Sequence, residues 1–268
     1  MATNISPLAS VASSAELDDD VEIGPFAHIG PDVKIGRGTK VENNVTLIGR
    51  VTIGSANHIF PGAVIGHEPQ DLSYRGSPTE VLIGDRNIIR ESVTINRATE
   101  KEDGLTTLGN DCFLMAGCHI AHDCRVGSRV IMANATLLGG HVHIHDDATL
   151  SGGVAVHHFT TVGSYSFTGG LSRVLNDVPP FMLCEGIPTR PRCVNLVGLK
   201  RNNFSDEAIH ALSEAHRLLF RARVGIDQAR ELLRAGEMLV PAVNHLLNFI
   251  QNQHEGRHGR GRDRRRAA

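Results

Sequence analysis

Four histidines, His119, His122, His141 and His157, fall in one short stretch of the chain, and three of them have a neighbour that matters chemically. Asp123 follows His122, Gly140 precedes His141, and His158 follows His157. A neutral imidazole can take a proton from an attacking hydroxyl while an adjacent carboxylate orients the ring and steadies its charged form. A glycine leaves a notch and exposes a backbone N–H that can donate to a developing oxyanion. That set suits acyl transfer from a thioester to a hydroxyl. Taken one at a time the residues also read plainly, because a lone surface histidine is solvated and a cluster does not name its reaction.

What could bring these residues together is a repeat. An aliphatic side chain returns every six positions at Leu17, Ile23, Ile29, Ile35, Val41, Leu47, Ile53, Ile59 and Ile65, and again at Ile83, Ile89 and Ile95. The series restarts at Leu108 and runs through Leu114, Ile120, Val126, Met132, Leu138, Ile144, Leu150 and Val156 to Val162. Compact residues such as Ala27, Val33, Thr39, Val45, Cys118 and Cys124 recur four places later. A helix repeats at 3.6 and a strand at 2, so a period of six implies a short extended segment plus a turn, stacked as a parallel β-helix. With three hexads to a coil, residues 18 apart lie above one another by about 4.8 Å. Gly140 then sits over His122, His158 over Gly140, and His141 over Asp123.

Composition agrees. The chain has 268 residues, a formal net charge of −2, no Trp and 4% aromatics, which suits the narrow interior of a three-sided coil and gives no general argument for nucleic-acid binding. Residues 1–20 lack the basic start and apolar stretch of a signal peptide, and no apolar run is long enough to span a membrane. Five cysteines without a disulfide pattern fit a reducing cytoplasm. Cys112, Cys118 and Cys124, six apart, read as small apolar fillers of one coil rather than as a metal site.

Two interruptions mark loops. Ile65 and Ile83 are themselves 18 apart, so the segment of about residues 67–80, HEPQDLSYRGSPTE, is thrown out of a coil and returned in register. A second excursion at about 99–106 shifts the phase by one residue. The repeat fades after Val174, which predicts a β-helix over 1–187 and an α-helical subdomain over 188–253. Ser205 is suited to cap a helix carrying Ile209, Leu212, His216, Leu219 and Phe220, and further helical patterns run near 226–235 and 240–251. The arginine- and glycine-rich segment 254–268 reads as a disordered basic tail.

The segments HIAHDCRVG (residues 119–127), LLGGHV (137–142) and AVHHF (155–159) resemble the cytoplasmic UDP-N-acetylglucosamine O-acyltransferases of lipid A biosynthesis. So do QDLSYRGSPT (70–79), GDRNIIRESVTINR (84–97), DVPPF (177–181) and VNLVGLKR (194–201), in order and over nearly the whole chain. The resemblance implies an all-β, left-handed parallel β-helix with a C-terminal α-helical subdomain, and a homotrimer with active sites between subunits. It also implies transfer of a 3-hydroxyacyl group from the phosphopantetheine thioester of acyl carrier protein to the 3-hydroxyl of UDP-N-acetylglucosamine. No metal or other cofactor is implied. By motif, His122 matches the general base, Asp123 its partner and Gly140 the oxyanion donor. Asp71, His119, His141, His157 and His158 match positions lining the substrate site. Gly170 matches a position bordering the acyl chain, and Asn195 and Arg201 match positions near the nucleotide. Lys200, Arg201, Arg217, Arg221 and Arg223 are suited to an acidic acyl carrier protein.

The chain departs from that pattern at Ser73, where lysine is common, at His158, where glutamine is usual, at Arg173 in a stretch usually small, and at Asn202, where a second arginine is common. Arg173 raises a 3-amino sugar as an alternative acceptor, and the acyl length stays open. A hexapeptide-repeat transferase using acetyl-CoA lacks a reason for the Gln70–Asp71 loop and the basic C-terminal helices. A zinc lyase resembling γ-type carbonic anhydrases needs two histidines five apart, a spacing absent here. A non-catalytic scaffold leaves the stacked His122, Asp123, Gly140 and His141 without a purpose.

Overall fold

The computed structural model describes residues 3–257 and 259–262. Each hexad gives a two-residue strand and a turn. In the first complete coils Val21 and Ile23 point inward and are buried while Glu22 between them is exposed, and Ala27, His28 and Ile29 repeat the arrangement. The strands stack into three parallel sheets of a left-handed β-helix. We call them A, B and C, with eleven, nine and eight strands among the described residues. Register advances by one coil per step, so that His119 pairs with Leu137, Leu137 with Ala155, and Ala155 with Arg173 on sheet B. The large aliphatic side chains of the hexads, from Ile29 to Ile144, form one continuous column of core.

Corners are sharp, and most are closed by a residue at positive φ that is not glycine, such as Phe26, Asn44, Asp123, His141 and Phe159. Such backbone is uncommon for side-chain-bearing residues. Here each is tied to the coil below, as when His141 N–H donates to His122 O (3.0 Å) and Phe159 N–H to Gly140 O (3.0 Å). At one corner the inward position is polar. Asn57 Oδ1 accepts from the N–H and the side-chain amide of Asn87 (2.9 and 3.0 Å), and Asn87 Oδ1 accepts from Cys112 N–H (2.8 Å). This internal ladder satisfies buried amides that would otherwise cost more than they contribute.

Both predicted excursions leave sheet B and return to sheet C, so both project from the same corner. The first runs between the strands Val64–His67 and Glu80–Ile83, the second between Thr94–Asn96 and Leu105–Leu108. They hold each other: Thr79 Oγ1 donates to Ala98 O (2.5 Å), Asn96 Nδ2 to Glu68 O (2.8 Å), and Arg97 Nε to Tyr74 Oη (3.2 Å).

Two predicted boundaries need correction. The β region does not stop at 187. The strand Met182–Glu185 continues sheet A, and Arg190–Val194 folds back on it antiparallel, so helix begins only at α1 (Leu196–Arg201). The prolines read as a break instead flank and occupy a hairpin turn. Helices α2 (Asp206–His216), α3 (Ile226–Ala235) and α4 (Pro241–His254) follow, with Ser205 Oγ accepting from Ala208 N–H (3.2 Å) as predicted. A π-helical turn, Arg217–Arg221, extends α2. Leu212, Leu218, Leu233, Val243, Leu246 and Leu247 form the core of this cap. The segment 254–268 is not wholly a disordered tail: His254 ends α4, and Gly259–Arg262 forms a 3-10 turn docked on the β-helix. Arg262 finds acceptors on the β-helix, two backbone carbonyls and an imidazole, which composition alone does not reveal. Residues 263–268 of that prediction, and His258, lie outside the described residues.

Candidate active site

The turn between the strands His119–Ile120 and Arg125–Val126 carries His122 and Asp123 at the corner from which both loops project. His122 Nδ1 lies 2.7 Å from Asp123 Oδ2. The Asp123 side chain has no exposure, and its charge is held by Thr99, whose N–H donates at 3.1 and 3.2 Å and whose hydroxyl donates at 2.7 Å. A carboxylate so placed accepts the Nδ1 proton and leaves the Nε2 lone pair free for a substrate. The 12% exposure of the His122 side chain gives that nitrogen a path to substrate.

Gly140 lies one coil above, as the 18-residue rule requires. A Cβ built on it would stand 2.4 Å from His122 Cε1 and 2.7 Å from Nε2, so only glycine lets the ring occupy this place. Its N–H makes no hydrogen bond among the described residues. The equivalent turn position is proline at Pro25 and Pro61, so the coil does not need that donor. An unused N–H beside a base is the geometry an oxyanion requires.

His141 is buried beside the pair. Its Nε2 is 3.7 Å from Asp123 Oδ2, its ring meets His122 edge-on at 5.2 Å, and its other face stacks parallel on Phe159 at 4.3 Å. Nδ1 lies 3.1 Å from Glu102 Oε1 on the second loop. From the first loop, Asp71 Oδ2 comes within 4.0 Å of His122 Nε2. Asp71 pairs with Lys101 and accepts from the N–H and hydroxyl of Ser73 (both 2.8 Å). The lysine ammonium, followed by those Ser73 donors, holds the carboxyl far below the usual carboxylate range. Ser73, where lysine was expected, therefore shapes the loop, and Lys101 from the other loop supplies a positive charge in its place.

The remaining predicted residues lie further out. His119 faces outward on sheet B with Nδ1 2.7 Å from Thr94 Oγ1, and burial, then the nearby His122, lowers its pKa. The rings of His157 and His158 lie 3.8 Å apart, tilted by 42°, two coils beyond His122, and His158 meets the edge of Phe159 at 5.8 Å. Gly170 is not brought to the base: it turns the corner between sheets A and B. Asn195 is buried as the cap of α1, accepting from Gly198 N–H (3.1 Å) and donating to Tyr165 O (2.9 Å). Arg201 is exposed at the end of that helix. Within one chain these last three do not meet the histidines. Sequence reasoning missed Thr99, Lys101, Glu102 and Arg262. The phase slip at 99–106 flagged the loop but not what its side chains reach.

His122, Asp123 and His141 offer donor atoms within 4.8 Å of one another. The 2.7 Å contact between the first two is a hydrogen bond that a cation would have to break, which makes the trio better suited to proton transfer.

A family model described as UDP-N-acetylglucosamine O-acyltransferase, domain 2, matches residues 177–260, and the bacterial transferase hexapeptide model matches 14–49 and 105–140. The acyl-[acyl-carrier-protein]–UDP-N-acetylglucosamine O-acyltransferase of a Synechocystis strain is 46% identical over 80% of this chain and 78% of its own. The enzyme of the same description from Verminephrobacter eiseniae is 45% identical over 85% and 87%. Among solved structures, a UDP-N-acetylglucosamine acyltransferase from Bacteroides fragilis superposes with a TM-score of 0.89 at 38% identity, covering 92% of this chain and 96% of its own. That from Francisella novicida gives 0.86 at 37%, covering 91% and 90%.

Proposed function

Since the chain belongs to the UDP-N-acetylglucosamine O-acyltransferase family, we propose that it carries a 3-hydroxyacyl group from acyl carrier protein to the 3-hydroxyl of UDP-N-acetylglucosamine, the first step of lipid A biosynthesis. His122 is the general base. The sugar hydroxyl gives its proton to His122 Nε2 as its oxygen bonds to the thioester carbon. The carbonyl oxygen, now anionic, takes the Gly140 N–H. Collapse breaks the C–S bond, and the His122 imidazolium returns the proton to the phosphopantetheine sulfur. Asp123 stays ionised throughout and keeps the ring in one tautomer. The supporting observation is the superposition of an unused amide on an imidazole already hydrogen-bonded to a buried carboxylate.

Acyl carrier protein is acidic, and Lys200, Arg201, Arg217, Arg221 and Arg223 all lie exposed on the C-terminal cap, which supports docking there. Asn195, Arg201 and Gly170 meet the base only if a second copy contributes them, which supports a homotrimer with sites between subunits. A register row on sheet A, Ile88, Phe113, Ile131, Thr149 and Phe167, is apolar except at Thr149 and exposed at Ile88 and Ile131, which supports self-association as well. No described helix is long and apolar enough to cross a membrane. The five cysteines are free, four of them buried, which supports a cytoplasmic setting.

His122→Ala tests the reading. Turnover should fall by at least about a hundredfold with the oligomer intact, because a positioned base supplies about 10² to 10⁴ in rate. Near-normal turnover removes the base assignment. Mass spectrometry of products made from a panel of acyl carrier thioesters, acetyl-CoA, and both 3-hydroxyl and 3-amino acceptors fixes donor, chain length and acceptor atom.

A further inference from the structure

The turn Gly259–Arg262 comes back from α4 to the corner that holds His122, and Arg262 makes more polar contacts there than the surface of a tail requires. Arg262 Nη2 donates to His141 O (2.7 Å) and Phe159 O (3.0 Å), the carbonyls of two positive-φ corner residues on successive coils. Nη1 lies 2.8 Å from His143 Nε2 and 3.8 Å from Glu102 Oε1, the carboxylate that faces His141 Nδ1. Burial, then the guanidinium itself, depresses His143 to a pKa of about 3, so His143 stays neutral and accepts from Arg262. Gly259 anchors the turn by donating to Thr161 Oγ1 (3.1 Å), in a place where any Cβ would collide with the Asp177 carboxylate.

We propose that Arg262 is a positioning residue of the active site, and that Gly259–Arg262 is a strap fixing the His141 turn and, through Glu102, the second loop against the catalytic pair. The inference rests on the acyltransferase reading above. The His141 ring is faced by Glu102 from the second loop and by Asp123 and His122 from the coil below, His122 is faced in turn by Asp71 with its partner Lys101, and Arg262 holds the His141 carbonyl from the strap, with His143 on the guanidinium's other nitrogen. Removing the guanidinium frees Glu102 and takes a positive charge from beside the imidazoles. Both effects favour their protonation, so the acid limb of the rate profile moves to higher pH. A loosened His141 also spoils the approach geometry, a loss on the order of ten- to a hundredfold in kcat.

The experiment uses the full-length enzyme with acyl carrier protein thioester and UDP-N-acetylglucosamine, and reads kcat, KM for each substrate, kcat against pH, melting temperature and oligomeric state. Arg262→Met should lower kcat and raise the acid limb with the oligomer retained. Arg262→Lys should recover only part of the rate, since an ammonium cannot bridge two carbonyls and an imidazole. Gly259→Ala, which changes no charge, should give the same loss of kcat. An Arg262→Met enzyme whose kcat and acid limb stay within twofold of wild type, with only the melting temperature reduced, overturns the proposal. Should that variant not fold, Glu102→Gln serves in its place: an unmoved acid limb is the negative result. His122→Ala run in parallel separates the two readings, because a dead His122 variant beside a normal Arg262 variant defeats only the strap.

Discussion

At Gly140 the effect of one methyl group follows from distance. An alanine there would put Cβ 2.4 Å from the His122 ring, and the ring would have to turn away from Asp123. Gly140→Ala should reduce kcat by about a hundredfold with an unchanged urea midpoint, as read by steady-state kinetics and denaturation. Asp177 offers a separate test through pH. Burial raises its pKa from 3.8 to about 6, while its Oδ1 accepts from Thr161 N–H at 2.9 Å. A carboxyl raised on folding destabilises the fold in its ionised form. The penalty is complete above pH 6 and disappears as the pH falls toward 3.8. Asp177→Asn should therefore raise the melting temperature by a few degrees at pH 8, roughly 2–4 °C per kcal/mol recovered, and leave it nearly unchanged at pH 4. His122, Asp123 and Gly140 were legible in the sequence because adding 18 to a residue number finds its neighbour. Thr99 and Glu102 were not. They sit where Ile83 and Leu108 pair across 25 residues, and inside such an insertion no period says where a side chain points.

The elements are as regular as their hexads, and the exceptions are informative. Asn57 and Asn87 take inward positions where Val or Ala is the rule. They are accommodated because each amide bonds to the backbone of the next coil, Asn57 to Gly84 O and Asn87 N–H, and Asn87 to Gly109 O and Cys112 N–H. Asn57→Ala strips an acceptor from both the N–H and the side-chain amide of Asn87, and should cost about 1–3 kcal/mol, measurable as a lower urea midpoint at unchanged m-value. Strand positions, both loops and the Ser205 cap followed from local pattern. The hairpin joining Met182–Glu185 to Arg190–Val194 did not, since Pro188 and Pro191 read locally as breaks. Pairing with the last strand of sheet A outweighs that local preference, a contribution from tertiary structure that no short window contains.

Taken as a whole, the molecule is a stack whose two ends differ. The first coils are thinly covered, with Ile5, Leu8 and, one coil on, Phe26 exposed, whereas α2 and α4 close the other end over a buried cluster. In a solenoid each coil is stabilised by its neighbours, so opening should begin at the bare end. Native-state hydrogen exchange should find the amides of Asn4–Ile5 and Ser10–Val11 exchanging before those of Phe113–Leu114 and Ile131–Met132. Uniform protection along the stack would contradict that order. The sequence spoke clearly about the stack and poorly about the tail. Glycine and arginine content describes the chain in solvent, whereas Arg262 is held by carbonyls contributed from 103 and 121 residues earlier.

Among the described residues, both loops and the returning C-terminus arrive at a single edge of the prism, while the coils turn tightly at the other two. Substrate preference and scaffold integrity are thus written in separate stretches of sequence. Exchanging residues 68–79 or 97–104 for those of a relative should retune which sugar or thioester is accepted without renegotiating the aliphatic column beneath. Variation within the family has room to accumulate there at little risk to folding.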